Sequence, residues 1–139
     1  MNSNIFNLDN WPIVYVKNNN TILNDEVLEE YQKDFLKILI KCKNNKEKVI
    51  LLIDIYNKSN VQMNYMSKIS EFHRRTEEYN KKYIDHVYIL CESKFLKNMI
   101  SMFITTENPI APCNIIRSLS KLRHAFHHNH SKDIKNMEI

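Results

Sequence analysis

The chain contains no glycine, and this absence restricts what a sequence of 139 residues can fold into and do. Glycine reaches positive φ at little cost and lets a backbone approach a bound phosphate closely. Without it, the glycine-rich loops of dinucleotide-binding proteins, P-loop enzymes and kinases are excluded, as is the glycine-flanked nucleophile elbow. We therefore expect a protein that is not an enzyme of these classes and that carries no cofactor.

Length and cysteine content favour a single domain in a reducing compartment. A chain of this size buries roughly two thirds of its unfolded surface, so it needs neither disulfides nor a metal to fold. Cys42, Cys91 and Cys113 are odd in number and widely spaced, which is typical of free thiols. Residues 1–10 lack the pattern of a signal peptide, and the apolar runs are too short to cross a bilayer. We predict a cytoplasmic protein without a membrane span.

Strands and helices are predicted to alternate along the chain. Runs rich in β-branched and aromatic residues predict strands at 11–17, 21–23, 48–56, 85–91 and 113–116. The run at 48–56 is almost continuously apolar, which indicates an interior strand covered on both faces. Helices are predicted between and after these strands from apolar residues at helical spacing. The candidate helix-capping residues are Asn24, Ser59, Asn60, Ser93 and Ser118.

One helix is predicted to run from about residue 60 to the start of the strand at 85–91. Its expected buried face comprises Met66, Ile69, Phe72, His73, Thr76, Tyr79 and Tyr83. Within that face we expect His73 to be a hydrogen-bonded core histidine. The alternation of elements predicts an α/β fold: a single-layer mixed sheet of four to five strands with about four helices packed on it.

The order and pattern of these segments resemble a known family. The segments that carry the likeness are TILNDEVLEEYQKDF, KVILLIDI, EFHRRTEEYNKKYIDHVYILCES and KFLKNMISMFITTENPIAPCNIIRSLSKLRHAF. Over residues 11–126 the chain resembles the STAS-like domain of sulfate transporters and anti-sigma-factor antagonists, in its stand-alone branch. The resemblance implies a regulatory or ligand-sensing module. It leaves residues 1–10 as a loose leader and residues 127–139 as a frayed polar tail that contains histidines.

The chain departs from that family at one functional position. The resemblance implies an Asp-Ser-Ser-Gly stretch at the start of the second helix, where a serine is phosphorylated. Residues 54–61 read DIYNKSNV, with no glycine and no second serine. Ser59 lies near this position but does not match the motif residue by residue, so we do not assign it as a phosphorylation site.

Polar residues follow the two inner predicted strands and form the candidate binding site. The carboxyl ends of strands in an open α/β sheet are where ligands bind, and a helix N-terminus favours an anion. The alternative is that the serines only cap helices and that the aspartate bonds to a loop. The candidate ligand- or partner-binding residues are Asp54, Asn57, Ser59, Asn60, Glu92 and Ser93.

The histidines of the last helix are weak candidates for metal ligands. His124 and His128 are four residues apart, so a continuing helix would place them on one face. A zinc site needs further fixed ligands, and no suitable cysteine pair or acid lies nearby in the sequence. We therefore assign no metal site and expect a solvated tail.

Three functions from different classes remain open. The leading hypothesis is a non-enzymatic regulatory or protein-interaction module, and the second is a small-ligand or lipid-binding domain. The third is a small enzyme using Asp54 or a histidine cluster, and Asp54 with His73 or His86 is the acid–base pair to consider. The expected partner is a protein or a small apolar ligand. Nucleic acid is not expected, because acidic and basic residues are interleaved, and a homo-oligomer remains open.

Overall fold

The computed structural model describes residues 5–16, 24–55, 63–106 and 112–130. These ranges form a five-stranded mixed sheet with five helices, which confirms the predicted α/β class. No helix in them is long and apolar enough to cross a membrane. The strands are β1 (Phe6–Asn7), β2 (Ile13–Val16), β3 (Val49–Asp54), β4 (Ile84–Leu90) and β5 (Cys113–Ile116). The helices are α1 (Asp25–Asn45), α2 (Met63–Arg75), α3 (Glu77–Tyr83), α4 (Lys94–Thr106) and α5 (Leu119–His130).

The strands lie in the sheet in the same order as in the sequence. β1 pairs antiparallel with β2, and β2 to β5 are parallel to one another. Parallel neighbours joined by right-handed crossovers that always advance in one direction have their connecting helices on one face of the sheet. The crossover helices α1 to α4 therefore share a face, and α5 returns across the other.

The two faces have separate apolar cores. Alternate residues of a strand point to opposite faces, so Val49 and Leu51 pack in a core with α1, α2 and α3. Ile50 and Leu52 pack on the opposite face, in a core that α5 closes with Leu122 and Phe126. The predicted interior position of this strand is confirmed, because β3 lies between β2 and β4 and residues 49–52 are buried.

Helix α1 has the predicted start and an unusual end. The Asn24 side chain accepts a hydrogen bond of 2.9 Å from the Val27 N–H, which confirms the predicted cap. Lys46 ends the helix in the left-handed conformation, with φ 54° and ψ 44°. Glycine is the usual residue there because it lacks a Cβ. In a chain without glycine, a lysine takes that conformation.

The long helix predicted before β4 is broken into α2 and α3 at Thr76. The Thr76 hydroxyl donates to the backbone carbonyls of Phe72 and His73, at 3.2 and 3.4 Å. Beyond this break the buried face differs from the predicted one at Tyr79, which is 53% exposed while Asn80 is fully buried; Tyr83 is buried as predicted. Asn80 donates from Nδ2 to the His73 carbonyl over 3.0 Å, a bond that the uninterrupted helical pattern did not indicate.

The amino-terminal segment contributes to the sheet. Residues 1–10 are predicted as a loose leader, but within them Phe6–Asn7 forms β1, and Phe6 is buried in the core under α1. The antiparallel partner of β2 is therefore β1. The second strand predicted at 21–23 lies outside the described residues.

Candidate functional site

The carboxyl ends of the parallel strands bring several predicted residues to one edge of the sheet. Asp54 is the last residue of β3, and Glu92 and Ser93 follow β4, its neighbour. The chain leaving β5 joins the same edge, because the Arg117 Nε donates to the Glu92 carbonyl over 3.2 Å. The structure thus places three of the six candidate residues at this edge. Asn57, Ser59 and Asn60 lie outside the described residues, and their part in a site stays a prediction.

Asp54 forms a hydrogen bond to an aromatic residue of the next strand. The Tyr15 hydroxyl donates to the Asp54 Oδ2 over 2.5 Å. Burial raises the pKa of Tyr15, and the hydrogen bond and the negative charge of Asp54 raise it further. The tyrosine therefore stays protonated and donates to the carboxylate. The sequence gives no signal for this pair, because the residues are 39 positions apart and meet only through the register of β2 and β3.

Ser93 and Glu92 have different surroundings. The Ser93 Oγ accepts a hydrogen bond of 3.1 Å from the Leu96 N–H, which confirms the predicted cap of α4. Glu92 is exposed, and its backbone carbonyl accepts the bond from Arg117. Ser93 thus has a structural role in starting α4.

The two histidines considered as acid–base partners of Asp54 each lie within hydrogen-bond distance of another side chain. His73 Nε2 lies 2.6 Å from the Tyr31 hydroxyl, and His86 Nε2 lies 2.5 Å from the Asn114 Oδ1. His124 is exposed on α5, and the side chain of His128 lies outside the described part. Within the residues described, no three His, Cys, Asp or Glu side chains come together as a metal site.

His73 is buried in the aromatic core, as predicted. It is 8% exposed, and the rings of Phe35 and Phe72 have their centroids 4.8 and 5.1 Å from its own. Burial lowers its pKa from 6.5 to about 4, because the apolar surroundings disfavour the charged imidazolium. The ring is therefore neutral at physiological pH and supports the packing of α1 against α2.

An apolar cluster lies beneath α4, beside the core under α1, and Ile89 packs against both. We call it the α4 cluster, and its buried members are Cys91, Leu96 and Ile100. Half-buried side chains from four other segments pack against it: Ile55, Met66, Ile89 and Ile115. The sequence does not indicate a site here, because the members of the α4 cluster come from distant parts of the chain.

Helix α4 is apolar on more than its inner side. Leu96 and Ile100 face the sheet, whereas Phe95 and Met102 are 66% and 70% exposed. An amphipathic surface helix normally presents polar residues to water. The excess of apolar residues in α4, visible in the sequence, is the signal that could have indicated a functional surface.

Comparison with known proteins corrects the expected family. A family model described as a divergent CRAL/TRIO domain matches residues 10–137, nearly the whole chain. No curated protein and no solved structure matches significantly. The predicted STAS-like family is therefore wrong, because alternating strands and helices define an α/β layer without distinguishing among the families that share it. The chain belongs to the divergent CRAL/TRIO domain family.

Proposed function

We propose that this domain binds a small lipophilic ligand, of the lipid class, at the α4 cluster. The observation that carries the proposal is the CRAL/TRIO match over residues 10–137, since domains of this family bind small lipophilic molecules. This function replaces the STAS-like regulatory module that the sequence suggested. It corresponds to the second of the three hypotheses.

The α4 cluster has the composition that such a ligand requires. Small-molecule sites are lined mainly by apolar side chains, with a few polar groups that fix the orientation of the ligand. Ile55, Met66, Ile89 and Ile115 are apolar and half-buried around the cluster. They form a surface on which an acyl chain would lose contact with water, which is the main source of affinity for such a molecule.

The position of α4 suits an element that admits a ligand. Of its described side chains, only Leu96 and Ile100 are buried. Elements with few buried apolar contacts open at the lowest free-energy cost, and binding sites are commonly covered by them. We infer that α4 moves aside to admit the ligand while the hydrogen bonds of the sheet remain intact.

A matched pair of tryptophan substitutions tests the site. Met66→Trp enlarges a half-buried side chain at the α4 cluster, and Met102→Trp makes the same change on the exposed side of α4. The probe is cis-parinaric acid, a fluorescent fatty acid, titrated into the full chain without membranes. We expect M66W to weaken binding at least tenfold and M102W to bind within twofold of the unchanged chain.

Two results would contradict the proposal. One is an unchanged chain that does not bind the probe and yields no lipid when extracted after purification from cells. The other is equal weakening by both substitutions, which would move the site away from the α4 cluster. Circular dichroism of both variants separates loss of binding from loss of folding.

A further inference from the structure

Exposed apolar residues lie where α4 and α5 begin. Phe95 is 66% exposed at the second position of α4, and Leu119, the first residue of α5, is 48% exposed. Met102, at 70%, lies seven residues after Phe95 and hence on the same side of α4. Large apolar side chains grouped on a surface indicate an interaction site.

The same part of the chain carries the excess of positive charge. From Glu92 to Lys132 the sequence contains six lysine or arginine residues and two acidic residues, Glu92 and Glu107. The remaining residues contain 14 basic and 14 acidic side chains, so the formal charge of +4 originates in this segment. Such an asymmetry along a chain points to a negatively charged partner.

The fold gathers these residues at one edge. β4 and β5 are parallel neighbours, with Leu90 opposite Ile116, so the starts of α4 and α5 leave the sheet side by side. Burial raises the pKa of the Cys91 thiol, whereas the charges of Arg117 and Lys97 lower it, because both cations lie near the end of β4.

We propose that this edge docks the domain onto the surface of an anionic phospholipid membrane. We define the basic edge as Lys94, Phe95, Arg117, Leu119 and Lys121. Phe95 and Leu119 enter the interfacial layer, while the lysines and the arginine contact lipid phosphates. Cations beside exposed apolar side chains match an interface that is anionic outside and apolar inside. Nucleic acid would satisfy the cations and could stack a base on Phe95, but it would leave the aliphatic Leu119 without an apolar partner.

Membrane docking goes beyond ligand binding and stands independently of it. It is tested by sedimentation of the full chain with vesicles of phosphatidylcholine alone or with 30% phosphatidylserine, at low and high salt. We expect binding to the anionic vesicles that weakens at high salt. Each lysine near the surface is worth roughly a fivefold change in partitioning, so Lys94→Gln with Lys121→Gln should weaken binding about 25-fold.

Two further variants make the test specific. Phe95→Ser removes an exposed apolar side chain and should weaken vesicle binding about tenfold without unfolding the domain. Lys43→Gln with Lys48→Gln removes the same charge at the opposite edge, near the end of α1 and the start of β3, and should stay within twofold. Equal binding to both vesicle types overturns the proposal, as does equal weakening by the two lysine pairs.

Competition separates the two kinds of anionic partner. A single-stranded DNA oligonucleotide that displaces the vesicles, together with an F95S variant that binds vesicles as the unchanged chain does, would assign the edge to nucleic acid and overturn membrane docking. Retention of parinaric acid is measured without vesicles. A failure of ligand binding is therefore distinguishable from a failure of docking.

Discussion

Lowering the pH from 7 to 5 should destabilise this domain through one buried histidine. His73 is held neutral in the aromatic core, where burial lowers its pKa from 6.5 to about 4. Between these values the unfolded chain binds a proton at this residue and the folded chain does not. The stability that the neutral His73 contributes is therefore fully present above about pH 6.5 and is lost progressively as the pH falls toward 4.

The magnitude follows from the difference between the two pKa values. Each unit is worth about 1.4 kcal/mol, so the full effect is about 3 kcal/mol by pH 4. At pH 5 the unfolded histidine is almost fully protonated and the folded one is about 10% protonated. By linkage, the expected loss of unfolding free energy between pH 7 and pH 5 is about 2 kcal/mol.

Urea denaturation followed by circular dichroism measures this loss. The comparison is between the unchanged chain, His73→Phe, which cannot titrate there, and His127→Gln, which removes an exposed histidine of α5. We expect H73F to lose about 2 kcal/mol less than the unchanged chain between the two pH values, and H127Q to follow the unchanged chain. Because each variant is compared with itself at two pH values, a lower absolute stability of H73F does not affect the result. An H73F variant with the full pH-dependent loss would refute the assignment to His73.

Three other predictions concern a helix end, a helix start and the thiols. Lys46→Gly should raise the free energy of unfolding by about 0.5–1 kcal/mol in urea titrations, because glycine adopts the left-handed conformation of Lys46 without strain; a loss would contradict this. Ser93→Ala should lower it by about 1 kcal/mol, since the Leu96 N–H loses its acceptor, and Ser93→Asn should restore most of that loss. In the folded chain at pH 7, Cys42 and Cys113 should react slowly with a disulfide reagent, because burial raises the pKa of each thiol to about 11, and rates equal to those of a free thiol would contradict this.

The sequence was most informative where a local pattern is sufficient to define an element. The apolar run at 48–56 identifies an interior strand, because only a strand covered on both faces needs apolar residues at consecutive positions. Asn24 and Ser93 identify helix starts, because their side chains satisfy N–H groups within three residues. These predictions depend on neighbours in the sequence, and the structure confirms them.

Features that depend on distant partners were not predicted. The two residues of β1 are too few to show a period of two, and they are stabilised by pairing with β2. The break at Thr76 lies in a segment whose apolar spacing continues a helical pattern, and it shows in the hydrogen bonds of Thr76 and in the burial of Asn80 in place of Tyr79. The pairing of Tyr15 with Asp54 likewise requires the register of two strands.

The direction in which the chain crosses the sheet explains why α4, where we propose that a ligand enters, lies to one side of the aromatic core. Because β2 to β5 follow one another in a single direction, α1, α2, α3 and α4 all lie on one face. α1 and α2 are joined there by the aromatic contacts of Phe35, Phe72 and His73, whereas α4 lies beyond them over the α4 cluster. We therefore expect that opening α4 would expose the α4 cluster and leave that aromatic core and the sheet in place. On the other face, α5 buries Leu122 and Phe126 almost completely against the strands. The same chain order that forms the sheet thus places α4 apart from the aromatic core, which is why we propose α4 as the helix that opens.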